Sequence, residues 1–121
     1  MKVYLFVIAF CWSFLSLAQP KIAVDRATVK FDKVSEGKVL HHTFKVTNVG
    51  DAPLLLNSYN VGCPCTKVTL PKQPIAPGQT VEIPMEFDSK GKYGFQDRSI
   101  FISTNVPKLE DFILRFKVVV K

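Results

Sequence analysis

Cys63-Pro64-Cys65 is the one stretch where residue type and spacing offer chemistry. In an extended segment, residues two apart point to the same side with Cα atoms about 6.6 Å apart, near the upper limit for a disulfide. A Cys63–Cys65 bridge is therefore strained unless the backbone tightens, and strain makes a disulfide easier to reduce or exchange. Two thiolates on one side also suit a soft ion such as Cu(I), to which His42 or His41 could add a nitrogen. A closed structural zinc site needs four protein ligands. Neighbouring strand residues His41 and His42 face opposite ways, so one chain does not supply them. Cys-x-x-Cys oxidoreductases lower a thiol pKa with a helix N-terminus or a close base, and nothing here predicts a helix beside Cys63. In the plainest reading, both cysteines pack as small apolar residues at a strand end. His42, on a face with Leu40 and Phe44, reads as a hydrogen-bonded core or rim residue before a ligand.

Other catalytic patterns are absent from the sequence. It contains no Gly-x-Ser-x-Gly elbow, phosphate loop, His-Glu-x-x-His or Gly-x-Gly-x-x-Gly. Asp88, Asp97 and Glu110 are carboxylates of the kind that surfaces solvate. The expectation is a protein that is not an enzyme and needs no cofactor, with copper as the alternative.

The N-terminus reads as an export signal: Lys2, an apolar run from Val3 to Leu15, and small residues Ser16 and Ala18 before a cleavage point. The run is shorter than the about 20 residues that cross a bilayer, so no permanent membrane span is expected. Residues 1–18 are assigned to the signal, which carries away Cys11, and residues 19–121 to one domain. The expected location is periplasmic or secreted. Two cysteines are too few to build a disulfide scaffold, so the core must supply most of the stability. The formal net charge is +6, but the lysines are scattered singly, and nucleic acid is not an expected partner.

Beyond the signal, apolar and polar residues alternate over short segments. Thr28 to Val34, Val39 to Asn48, Leu54 to Tyr59, Lys67 to Leu70, Val81 to Phe87, the segment around Ile100 and Ile102, and Phe112 to Val120 each read as a strand. Turn residues such as Ser35-Glu36-Gly37, Pro77-Gly78 and Asn105-Val106-Pro107 separate them. This pattern predicts an all-β, immunoglobulin-like β-sandwich of about seven antiparallel strands. Pro84 cannot donate to a ladder, so its strand is expected at an edge, or Pro84 at a bulge or with its amide facing outward.

His42-x-Phe44-x-Val46-x-Asn48-x-Gly50, Pro53-Leu54, the cysteine pair with Thr66, Ile75-x-Pro77-Gly78, Phe87-Asp88, Gly94 with Ser99-Ile100, and Ser103-Thr104-Asn105 occur in one order. Together they resemble the bacterial domain-of-unknown-function family 1573 over nearly the whole of residues 19–121. The resemblance implies an immunoglobulin-like domain related to major sperm protein and pilus-chaperone domains, exported to the cell envelope, with no established activity. The chain departs from the family at Pro64, where glycine is usual, which weighs against any role for a flexible cysteine loop. The function expected is a non-catalytic protein-binding or structural module of the bacterial cell envelope, with a protein partner there. It would act through a sheet face, an edge or the loops carrying Cys63-Pro64-Cys65 and Pro77-Gly78. The alternative is a copper-binding or thiol-redox accessory protein using Cys63 and Cys65.

Overall fold

The computed structural model describes residues 18–109 and 111–121. The export signal, except Ala18, lies outside the described residues, as do Cys11 and Glu110. Alternation does what the pattern predicts. Leu40, Phe44 and Val46 are buried from one strand, Ile83, Met85 and Phe87 from another, and Leu114, Phe116, Val118 and Val120 from the last. Their alternate neighbours are mostly exposed or half-buried. Two pleated layers close on these inward faces, and the Phe87 and Phe116 rings meet between them with centroids 5.1 Å apart.

The strands are β1 (Ile22–Val24), β2 (Thr28–Lys30), β3 (Val39–Asn48), β4 (Leu56–Val61), β5 (Thr66–Val68), β6 (Thr80–Asp88), β7 (Gly94–Thr104) and β8 (Phe112–Val120). One sheet runs β1-β3-β6-β5 and the other β2-β8-β7-β4. No helix among the described residues is long and apolar enough to cross a membrane.

The all-β sandwich holds, with three details to add. About seven strands were expected and eight are present, because Ile22–Val24 pairs with the end of β3. Three residues are too short for alternation to register. The segment expected over Thr28 to Val34 is split into β2 and a single bridge from Val34 to Val120, and β2 runs parallel to β8, so the pairing is not wholly antiparallel. Pro84 lies in β6, an interior strand. It is tolerated because its carbonyl, which accepts from the Thr69 N–H at 2.9 Å, turns toward β5 one residue past that strand's end. In an antiparallel pair a residue's N and O face the same neighbour, so the missing N–H falls where the ladder stops.

The loops are tied by a few buried polar groups. The Asn48 side-chain amide is fully enclosed and donates to the carbonyls of Ala52 and Ile75, at 2.8 and 2.9 Å. Its oxygen accepts from Gly50 N–H at 2.9 Å and Lys21 N–H at 3.4 Å. Gly50 lies against the incoming backbone of residues 19–21, where a Cβ would overlap the Gln19 carbonyl oxygen. This explains both ends of the Asn48-x-Gly50 motif. At the other end of the sandwich, the buried Ser89 hydroxyl donates to the Lys38 carbonyl at 2.6 Å, anchoring the turn before β7.

Candidate functional site

Residues Gly62 to Cys65 carry the chain from β4 in one sheet to β5 in the other. The Thr66 N–H donates to the Cys63 carbonyl at 3.2 Å, closing a β-turn with Pro64 at its second position. That position wants φ near the value the pyrrolidine ring fixes, so proline suits it without a flexible loop. The turn draws the Cys63 and Cys65 Cα atoms to 5.1 Å, and the two sulfurs are joined as a disulfide. The 6.6 Å separation assumed for an extended segment does not apply. The Cys65 N–H donates to Cys63 Sγ at 3.1 Å, and the Asp88 N–H donates to the Cys65 carbonyl at 2.9 Å, pinning the turn to the end of β6.

One side of this turn opens on a hollow of about 430 Å³, walled by the turn itself and by Lys67, Lys90, Lys92, Glu86 and Asp88. Sequence spacing gave no sign of these three lysines, which come from β5 and from the loop after β6. No histidine lines this hollow. His41 is exposed beside Pro84, Met85 and Glu86 on the outer face of its sheet. His42 turns inward, edge-on to Phe31 and Phe44 with centroids 6.2 and 4.7 Å away. Its Nε2 is enclosed and, among the described residues, has no hydrogen-bond partner. Burial holds its pKa below the usual histidine value, with Asp25 opposing and Arg26 reinforcing that effect. The structure thus brings Cys63 and Cys65 together and leaves His42 apart from them, half-buried against Phe31 and Phe44. Among the described residues no three His, Cys, Asp or Glu side chains are grouped to hold a metal.

The other side of the turn has a feature that sequence reasoning missed. The ladder between β4 and β7 ends at the Val61–Ile100 pair, while β7 extends back to Gly94. The Arg115 N–H donates to the Ala27 carbonyl and the Phe31 N–H donates to the Lys117 carbonyl, so odd-numbered β8 residues face β2. Their even-numbered neighbours therefore face β7 and pair with Gln96, Arg98 and Ile100. Phe95 and Asp97 must direct their backbone N–H and C=O groups away from β8, and no strand among the described residues meets them. A hollow of about 250 Å³ lies there, lined by Val61, Gly62, Cys63, Asp97, Arg98 and Ser99 among others. Arg98 donates to Gln96 Oε1 at 2.6 Å. On the outer face, Arg115 grips both Asp97 carboxylate oxygens at 2.6 and 2.5 Å, which holds the Asp97 pKa below the usual carboxylate value.

The family described as protein of unknown function (DUF1573) matches residues 22–120. The chain belongs to the DUF1573 family. Among solved structures, it is similar to a Porphyromonas gingivalis W83 protein of unknown function, with 18% identity and TM-score 0.75, over 90% of this chain and 51% of that one. It is similar to PapD-like domain 7 of human CEP192, with 12% identity and TM-score 0.59, over 100% of this chain and 95% of that one. It is also similar to the E. coli chaperone DraB, with 17% identity and TM-score 0.54, over 84% of this chain and 55% of that one. At these identities the likeness shows the immunoglobulin-like fold. This DUF1573 chain spans about half the length of the Porphyromonas protein. No curated protein matches it.

Proposed function

We propose that this DUF1573 chain is an exported, non-catalytic domain that binds a protein partner in the bacterial cell envelope, in the periplasm or beyond it. The observation that carries the reading is the interrupted edge of β7, where a sheet presents backbone groups that no strand among the described residues meets, beside an open hollow. The buried polar residues Asn48, Thr66 and Ser89 fit the same reading, because Asn48 and Ser89 tie loops and Thr66 starts β5 at the turn. A structural neighbour named a chaperone supports binding to another protein by analogy of fold. Crosslinking in intact cells of the native host tests the reading: a discrete crosslinked protein is expected, and its absence at every surface position tried would sink it.

A thiol-redox role is the second reading. It is supported by the half-buried Cys63–Cys65 pair opening on a hollow with three lysines, and by the Cys65 N–H held 3.1 Å from Cys63 Sγ. Positive charge and an N–H donor stabilise a departing thiolate. Two electrons and two protons from a partner dithiol would convert the disulfide to two thiols and leave the partner oxidised. Copper binding would require that reduced form. Intact mass of the protein from its own envelope, with and without alkylation, reports signal removal, thiol state and bound copper together. Two free thiols, or a bound copper ion, would favour this reading over the first.

A further inference from the structure

We propose that the open edge of β7 at Phe95 and Asp97 accepts an extended peptide of a partner protein as an added strand, antiparallel to β7, carrying a carboxylate opposite Arg98. This rests on the protein-binding reading above and specifies its site and chemistry. β4 already pairs antiparallel with the second half of β7, so a peptide placed beyond Val61 continues the same side of the sheet in the same sense. Phe95 and Asp97 offer two donors and two acceptors at the spacing an antiparallel strand matches.

The pleat then sets which peptide side chains meet which residues. Those opposite Phe95 and Asp97 face outward, where Phe95 is 60% exposed and offers an aromatic surface to an apolar residue. Those opposite Gln96 and Arg98 lie on the inward side of the sheet, where Arg98 lines the hollow beside Cys63 with Asp97 and Ser99 at its rim. Charge selects the second kind. The Asp97 carboxylate is engaged by Arg115, whereas Arg98 is held only by the neutral Gln96 oxygen among the described residues. Across the Cys63 turn, Lys67, Lys90 and Lys92 outnumber Glu86 and Asp88. An acidic side chain at the position facing Arg98 therefore gains an ion pair, and a basic one is repelled. A second copy of the chain fits less well, because self-pairing centred on Asp97 sets Asp97 against Asp97.

The test uses protein expressed from the full 121-residue chain and two synthetic peptides, Ac-Val-Glu-Val-Thr-Val-amide and its twin with lysine replacing glutamate. Amide hydrogen exchange and resonance shifts are followed by NMR. With the acidic peptide, exchange at Phe95 and Asp97 is expected to slow by about tenfold or more, while the lysine twin leaves it unchanged. Arg98→Glu is expected to weaken the acidic peptide by about tenfold and to admit the lysine twin. Arg98→Gln, which keeps most of the side-chain volume, should weaken the acidic peptide without admitting the twin. Equal binding of both peptides, protection at another edge or face, or doubling of mass with Phe95 protected before any peptide is added would each overturn the proposal. If neither peptide protects the edge while an envelope protein still crosslinks elsewhere on the chain, the edge assignment fails and the protein-binding reading survives. If no envelope protein crosslinks anywhere, the broader reading fails.

Discussion

The two residues with most to say at the scale of single side chains are His42 and Pro64. His42 keeps an enclosed Nε2 without a partner among the described residues, and its pKa is lowered chiefly by burial. Above its ordinary value of 6.5 the ring is neutral in both folded and unfolded chains, so it adds no pH dependence there. As pH falls below that value the unfolded chain takes up the proton first, and stability declines until the folded ring also titrates. Asp25 and Arg26 are the charged groups that act on it, with opposite signs. His42→Leu is expected to remove this acid-side loss and to stabilise the protein by about 1 kcal/mol, since an unpaired buried polar atom is replaced by apolar surface. Urea unfolding at about pH 8 and about pH 5 checks it, and an unchanged pH dependence in the variant would refute it. Pro64 fits the second position of the Cys63–Thr66 turn, so Pro64→Gly is expected to cost about 0.5–1 kcal/mol through the freer unfolded chain. A gain in thermal stability on that substitution would contradict this account of the turn. The cysteine pair stands out in the sequence as a unit, and the structure joins it as a disulfide. The tightening of the turn was not readable, because proline between two cysteines is compatible with extended and turned backbone alike.

Among the elements, long alternating strands were legible and short ones were not. β3, β6 and β8 each bury three or more apolar side chains on one face, a signal that survives without tertiary context. β1 and β2 have three residues each and exist because neighbours hold them, so their pattern carries too little information. The early boundary of β7 was missed for a related reason. Gly94 to Ser99 contains glutamine, aspartate and arginine, and its extended form depends on pairing with β8. Arg98 escaped notice with it, since a single arginine in a polar stretch has no spacing to flag it. The resemblance motif around Asn48 and Gly50 does have a structural reason, and it can be tested at this scale. Gly50→Ala would set a Cβ 2.5 Å from the Lys21 nitrogen and so displace the segment that leads into β1. The expected cost is about 1–3 kcal/mol. Faster amide exchange at Lys21 and Val49, whose backbones are bonded here, should accompany it. Asn48→Ala leaves the Ala52 carbonyl and the Gly50 and Lys21 N–H groups without this side chain, while the Ile75 carbonyl keeps its bond from Leu54 N–H, and a loss on the order of 3 kcal/mol is expected. Near-native stability in Asn48→Ala would show that water replaces this side chain and that the knot is not structural.

For the molecule as a whole, the question is whether the sandwich or the disulfide holds the fold. The two sheets enclose Phe44, Phe87, Phe116, Ile83, Ile100, Ile102 and Leu114 with essentially no exposure, and burying side chains of this size stabilises by about 1.5–3 kcal/mol each before conformational entropy is subtracted. The Cys63–Cys65 bridge closes a loop spanning three residues, and the chain-entropy relation gives such a loop only about 1.6 kcal/mol. Reduction should therefore leave the β-sheet circular-dichroism spectrum intact, lower the urea midpoint modestly and keep the slope of the transition unchanged. A Cys63→Ser, Cys65→Ser double variant should behave as the reduced protein does. This separates scaffold from chemistry, because a turn that can be reduced without unfolding the sandwich is free to change its thiol state while β7 keeps its edge. Collapse of the spectrum on adding reductant would mean instead that the bridge, short as it is, fixes the crossing between the sheets, and no exchange role could then be separated from unfolding.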